Sequence, residues 1–191
     1  MIDFDQALAV PDKLTVLWWD DPALSMVCAK VDDNEFGSKL DAFGKQLIAT
    51  MNASNGIGLA APQVGVLKRM FVMMYPDHEE LETIVVCNPV LRLSGSTVYG
   101  QEGCLSVPGV FEQVARAEHV IMEYSDPLGK NYEALIDKLD ARVAQHEFDH
   151  LNGIMFFDWK DKRPEYGARM SKQVSKHVLR TWEKEKAKRG R

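Results

Sequence analysis

The sequence predicts an α+β fold, with antiparallel strands around a central helix carrying an HExxH pattern and a further helix at the C-terminus. Three observations lead there. Helical periodicity marks a segment early in the chain, another around position 146 and a last one near the end. Apolar, strand-like runs bounded by turn residues lie between them. Strands and helices do not alternate regularly, which argues against a parallel βαβ layout. The 191 residues suit one domain, 1–191, large enough to bury a core.

Taken in order, the elements follow from spacing and punctuation. Phe36, Leu40, Phe43, Leu47, Ile48 and Met51 recur at helical intervals, predicting a helix from Glu35 to about Met51 that Asn55-Gly56 stops. A Gly-rich loop follows, Gly56 to Gly65. Met70 to Tyr75 and Thr83 to Val86 read as buried strands separated by a turn at Pro76-Asp77-His78. Val110 to Tyr124 reads as strand structure, and Asp126-Pro127-Leu128-Gly129 as a turn. Asp137 is a candidate cap for a helix running to about Asn152, with Gly153 as its stop. Pro164 opens the last helix, about 164–187, which sets Tyr166, Met170, Val174, Val178 and Trp182 on one stripe.

Composition narrows the class of function. Cysteine numbers only 3, too few and too odd for a disulfide framework, and this fits a reducing compartment. The opening Met1-Ile2-Asp3-Phe4-Asp5 is acidic and resembles no secretory or organellar presequence, so a cytoplasmic location is expected. No apolar run approaches the roughly 18–20 residues that a membrane span requires, so no membrane partner is expected. The net charge of -5 conceals a basic end: 12 Lys and Arg against 4 Asp and Glu from Lys160 to Arg191. Such a tail suits either a solvated helix face or an anionic partner such as ribosomal RNA.

The strongest chemical signal is His146-Glu147-Phe148-Asp149-His150. On a helix, positions four apart share a face, so both imidazoles can reach one metal ion while Glu147 serves as a general base toward water. Val143 and Leu139 lie one and two turns before Glu147 and suit an apolar floor beside the ion. A catalytic site of this type needs a third protein ligand. The HExxHxxGxxH continuation holds through Gly153 but fails at Phe156. Glu165 or Glu183 would serve a metallopeptidase, and Cys104, beside Gly103 where backbone can approach closely, is a credible thiolate ligand. Cys28 and Cys87 sit among apolar residues and read as core.

Gly56-Ile57-Gly58-Leu59-Ala60-Ala61 matches the G-x-G-x-x-A dinucleotide fingerprint, but its context is wrong: a helix precedes it and a strand follows. No dinucleotide is expected. The glycines instead suit close approach of a peptide, with Gln63 offering amide donors.

Together, Gly56-Ile57-Gly58-Leu59-Ala60-Ala61-Pro62-Gln63, Glu102-Gly103-Cys104-Leu105-Ser106 and Gln145-His146-Glu147-Phe148-Asp149-His150 resemble, in order and spacing, the three signature motifs of the peptide deformylases. The resemblance runs from about Gly56 to Phe157. It implies a hydrolase that removes the formyl group from formylmethionine at the start of nascent polypeptides. It also implies one divalent metal ion, Fe(II) natively with zinc, nickel or cobalt able to replace it, held by Cys104, His146 and His150. Glu147 would be the acid and base, and Gln63 with the Leu105 N–H would bind the oxyanion. Ile57, Gly58 and Gly103 would lie along the substrate, which adds as a strand, and Ile57, Leu139 and Val143 would line the methionine pocket. Glu102 paired with Arg116 would brace the cysteine loop. Two positions depart from the pattern: Phe111 stands where some bacterial members carry Arg, and Arg142 where many carry an apolar residue. A metallopeptidase and a binding module with a structural metal are the competing readings.

Overall fold

The computed structural model describes residues 1–10, 13–75 and 82–158. Helix α1 (Phe4–Leu8) opens the chain. Asp3 closes its first turn by accepting from the Gln6 backbone at 2.8 Å, while the Gln6 side chain accepts from the Asp3 backbone at 3.0 Å. Phe4 packs on Phe43 of helix α2 (Ser38–Ala53), ring centroids 5.1 Å apart. The sequence places the start of α2 at Glu35. The helix begins three residues later because Asp33–Glu35 form a 3-10 turn and Gly37, at φ 138°, breaks from the helical region. Its end falls as expected: Asn55 takes a left-handed conformation, φ 55°, just before Gly56.

Five strands form one antiparallel sheet in sequence order: β1 (Gly58–Ala60), β2 (Met70–Met74), β3 (Thr83–Cys104), β4 (Val107–Ser125) and β5 (Asn131–Asp137). The Met70-Phe71-Val72-Met73-Met74 run is apolar throughout because both of its faces are covered. Met70 and Val72 pack in the core formed with α2, and Phe71 and Met73 in the core formed with helix α3 (Lys138–His150). A third apolar cluster joins Val107, Val110 and Val114 of β4 to Leu24, Met155 and Phe156.

Strands β3 and β4 make a hairpin of 22 and 19 residues, interrupted by register shifts at Cys87/Val90, Ser94/Thr97 and Gly103/Cys104. Such bulges bend a long ribbon and re-aim its side chains. Most of β3 beyond Val86 was not foreseen as strand. Its side chains from Leu91 to Gly100 are largely exposed or half-buried, so no apolar alternation announces them. Asn88 replaces the lost ladder bonds at the first shift, accepting from Val31 N at 2.9 Å and donating to Val31 O at 2.8 Å. Strand β5 was likewise unread, for Asn131-Tyr132-Glu133 is exposed.

Helix α3 follows β5 directly. Asp137 sits at its N-cap, but its side chain makes no capping bond, which corrects the expectation drawn from its residue type. The helix ends at His150, and Gly153, at φ 66°, closes it as the sequence predicts. Gln145 fastens α3 to β4 by accepting from Ala117 N at 3.0 Å and donating to Ala117 O at 2.9 Å. Arg69 grips the helix end through Asn152 Oδ1 at 3.0 Å and stacks over Phe148. The turn at Pro76-Asp77-His78, the basic helix of about 164–187, Glu165 and Glu183 lie outside the described residues. No helix among the described residues is long and apolar enough to cross a membrane.

Candidate metal centre and active site

Two elements supply the centre. His146 and His150, one turn apart on α3, present their rings edge to face with centroids 4.9 Å apart. Cys104, the last residue of β3, brings its Sγ to 3.3 Å from His150 Nε2. One ligand atom from each of these residues lies within 4.8 Å of the other two. A soft thiolate with two imidazoles is a donor set for a divalent transition ion. Both histidines are buried and Cys104 is half-buried.

The surroundings fit an ion as well. His146 Nδ1 bonds Glu102 Oε2 at 2.9 Å, which fixes the tautomer and turns Nε2 inward. Burial works against a charge on His146, but hydrogen bonds to Cys104 and Glu102 outweigh it and hold its pKa well above the usual histidine value. Burial, with the nearby His146 and Arg116, pushes His150 well below that value. Glu102 is in turn held by Arg116, whose Nε and Nη2 each donate to it at 2.8 Å, and Arg116 Nη1 pairs with Asp149. Those charges keep the Glu102 carboxyl ionised despite its burial.

Glu147 lies beside this group. Burial raises its pKa to about 7, and its Oε2 has no hydrogen-bond partner among the described residues. The carboxylate fits only because position 58 is glycine: a Cβ there would stand 2.3 Å from Glu147 Oε1. Gln63, in the 3-10 turn Ala61–Val64, is oriented by its own Oε1, which accepts from Ala60 N at 2.8 Å. Its Nε2 therefore faces the centre, 3.4 Å from Cys104 Sγ and 3.2 Å from Ser106 Oγ.

A cavity of about 460 Å³ opens onto these groups. Its lining includes Ile57, Gly58, Gln63, Glu102, Gly103, Cys104, Leu105, Leu139, Val143, His146 and Glu147, all singled out from the sequence. His150 and Arg116, at 1% and 2% exposure, stand behind it. Leu139, 39% exposed, is a rim residue and not the floor that helical spacing suggested; Val143 is buried and takes that place. Cys28 and Cys87 are core residues, as expected. Three participants were missed: Asp149, Ser106 and the full reach of Arg142. Only Arg142 carried a usable signal, since it precedes His146 by the same four residues that separate the two histidines.

Known proteins resemble this chain in sequence and fold. A sequence model of the polypeptide deformylase family matches residues 13–165. A peptide deformylase from Thermosynechococcus vestitus is 42% identical over 132 residues, covering 68% of each chain. One from Thermus thermophilus is 39% identical over 153 residues, 73% of this chain and 78% of that one. Among solved structures, a peptide deformylase from Legionella pneumophila superimposes with a TM-score of 0.81 at 32% identity, covering 93% of this chain and 98% of its own. The motifs, the three-ligand geometry and the extent of these matches place the chain in the polypeptide deformylase family.

Proposed function

We propose the following division of labour for the reaction of this family, metal-dependent removal of the N-formyl group from new polypeptides. Cys104, His146 and His150 hold one divalent ion. When bound, the ion polarises the formyl carbonyl and lowers the pKa of water from 15.7 towards about 7. Glu147 takes a proton from the attacking water as the new C–O bond forms. It returns that proton to the amine nitrogen as the C–N bond breaks, leaving formate and a free methionine amine. A carboxyl with a pKa near 7 suits both halves of that exchange. Gln63 Nε2 and the Leu105 N–H donate to the oxygen that gains charge, and loss of one such donor costs about 10²–10³ in rate.

Substrate placement follows from the cavity. Strand β1 ends the sheet, so its free edge can accept a peptide as an added strand along Ile57 and Gly58. Ile57, Leu139 and Val143 suit the methionine side chain, and Gly103 lies along the peptide backbone. Glu102 and Arg116 steady His146 from behind. Fe(II) is the proposed native ion, with zinc, nickel or cobalt as substitutes, because a thiolate with two imidazoles accepts each of them. The cytoplasm is the proposed location, where nascent chains are made. The basic segment of about 164–187 is proposed to touch the ribosome; truncation after Lys162 should weaken salt-sensitive co-sedimentation, and unchanged co-sedimentation of a folded truncation would reject that contact.

The observation that carries the reading is the convergence of Cys104, His146 and His150 beside an unpartnered Glu147 oxygen. A formate-release assay on a formyl-methionyl peptide tests it. Activity should vanish with a chelator and return on adding a divalent ion, and Cys104→Ala should lose metal. Chelator-resistant turnover, or full metal content in Cys104→Ala, would overturn it.

A further inference from the structure

The ligands come from two separate elements, a helix for the histidines and a hairpin tip for the cysteine, so something must fix the helix against the hairpin. Arg142 sits on α3 one turn before His146, and its guanidinium reaches both strands. Nη1 donates to Glu102 Oε1 at 2.8 Å and to Val114 O on β4 at 2.8 Å, with Gly100 O at 3.4 Å. Nη2 donates to Val98 O on β3 at 2.8 Å. The side chain lines the cavity but is only 11% exposed, and its charged head is spent on these protein acceptors. A planar fork can serve such a set, whereas a lysine ammonium has neither the plane nor the reach.

Glu102 is the node that makes this contact matter. Its Oε1 accepts from Arg116 Nε and Arg142 Nη1, and its Oε2 from Arg116 Nη2 and His146 Nδ1. Both oxygens are thereby saturated, and the carboxylate is fixed behind a ligand. The hairpin is shaped to receive the guanidinium. A Cβ on Gly100 would stand 2.8 Å from Arg142 Cζ and 2.9 Å from its Nε and Nη2. The guanidinium could retreat only by giving up the bonds just described.

We propose that Arg142 is a positioning residue for the ion site, acting through Glu102 on His146 and tying α3 to the hairpin that carries Cys104. Position 100 is glycine because the guanidinium fills its side-chain space. The proposal rests on the reading that Cys104, His146 and His150 hold the ion.

The test compares Arg142→Met, Arg142→Lys and Gly100→Ala with wild type, each loaded with zinc or with cobalt. Removing a direct partner of a metal-bound histidine costs about 10–100-fold in metal affinity or activity. Arg142 acts one step further out, so zinc release to a chelator should quicken by about 3–10-fold in Arg142→Met. Gly100→Ala should do the same although it alters no charge, and Arg142→Lys should not rescue. The cobalt absorption bands should shift in all three variants, and kcat should fall with KM little changed. Folded Arg142→Met with wild-type zinc release and cobalt spectrum would overturn the proposal, whatever its melting temperature. A rise in KM alone would also overturn it, by making Arg142 a substrate contact. If Arg142→Met fails to fold, Gly100→Ala decides by the same two readouts. Wild type that binds no zinc would instead defeat the ligand assignment itself, which separates the two failures.

Discussion

Adding one methyl group at Gly58 acts first on the placement of the Glu147 carboxylate. A Cβ there would lie 2.3 Å from Glu147 Oε1, whereas ordinary contact begins at 3.4 Å. The carboxylate must therefore withdraw by the difference, about 1 Å, a misplacement that can cost about 10² in rate. Gly58→Ala should lower kcat by about 10², or about 2.7 kcal/mol of transition-state stabilisation. The backbone at Gly58 is not in the left-handed region and the carboxylate is the movable end of its side chain, so the fold should survive the change. The same Cβ meets Glu147 Cδ at 2.8 Å and Cγ at 3.0 Å, and the side chain is buried, so the melting temperature should fall modestly. Formate-release kinetics, metal content and thermal unfolding on the same preparation read all three quantities. A kcat within threefold of wild type at full metal loading would refute the reasoning, and so would an effect confined to KM.

Other perturbations follow from the same geometry. Glu147→Gln should keep its metal and lose about 10²–10⁴ in kcat, the usual worth of a positioned acid or base; retained turnover would remove Glu147 from its role. Arg116→Met strips a fully buried guanidinium from Glu102 and Asp149. Breaking a buried pair from one side costs about 3–5 kcal/mol, which urea unfolding would register; a loss below about 1 kcal/mol would contradict it. Burial raises the thiols of Cys87 to about 12 and Cys28 to about 11, from an ordinary 9.0. The folded state thus holds these protons more tightly, so their contribution is complete below pH 9 and is lost as pH climbs towards 11 and 12. Cys87→Ala should flatten part of that alkaline decline in unfolding free energy, and an identical slope would show the thiol is not its source.

The sequence disclosed the site more fully than the sheet, for a physical reason. Candidate ligands and acid-base groups are particular residue types at fixed spacing, so His146, Glu147 and His150 stand out on a helix as candidates. Strand structure is visible only where burial imposes a pattern. It did so at Met70–Met74, covered on both faces, and along much of β4. It did not along the exposed part of β3 or at Asn131-Tyr132-Glu133, whose pairing partners are set by the hairpin and not by local composition. Asp137 shows the reverse error: a good capping residue whose side chain makes no capping bond. Asp149 and Ser106 could not have been found from one chain, since their roles depend on Arg116 and Gln63 arriving from distant segments.

The brevity of the terminal strand β1 sets a limit on what the enzyme can read. Gly58–Ala60 is 3 residues long, about 10 Å of strand at roughly 3.3 Å per residue, and Ala60 N is already hydrogen-bonded to Gln63. On the proposed added-strand docking, this edge would hold only the first few positions of a peptide. The same shortness denies a second copy enough edge to polymerise upon.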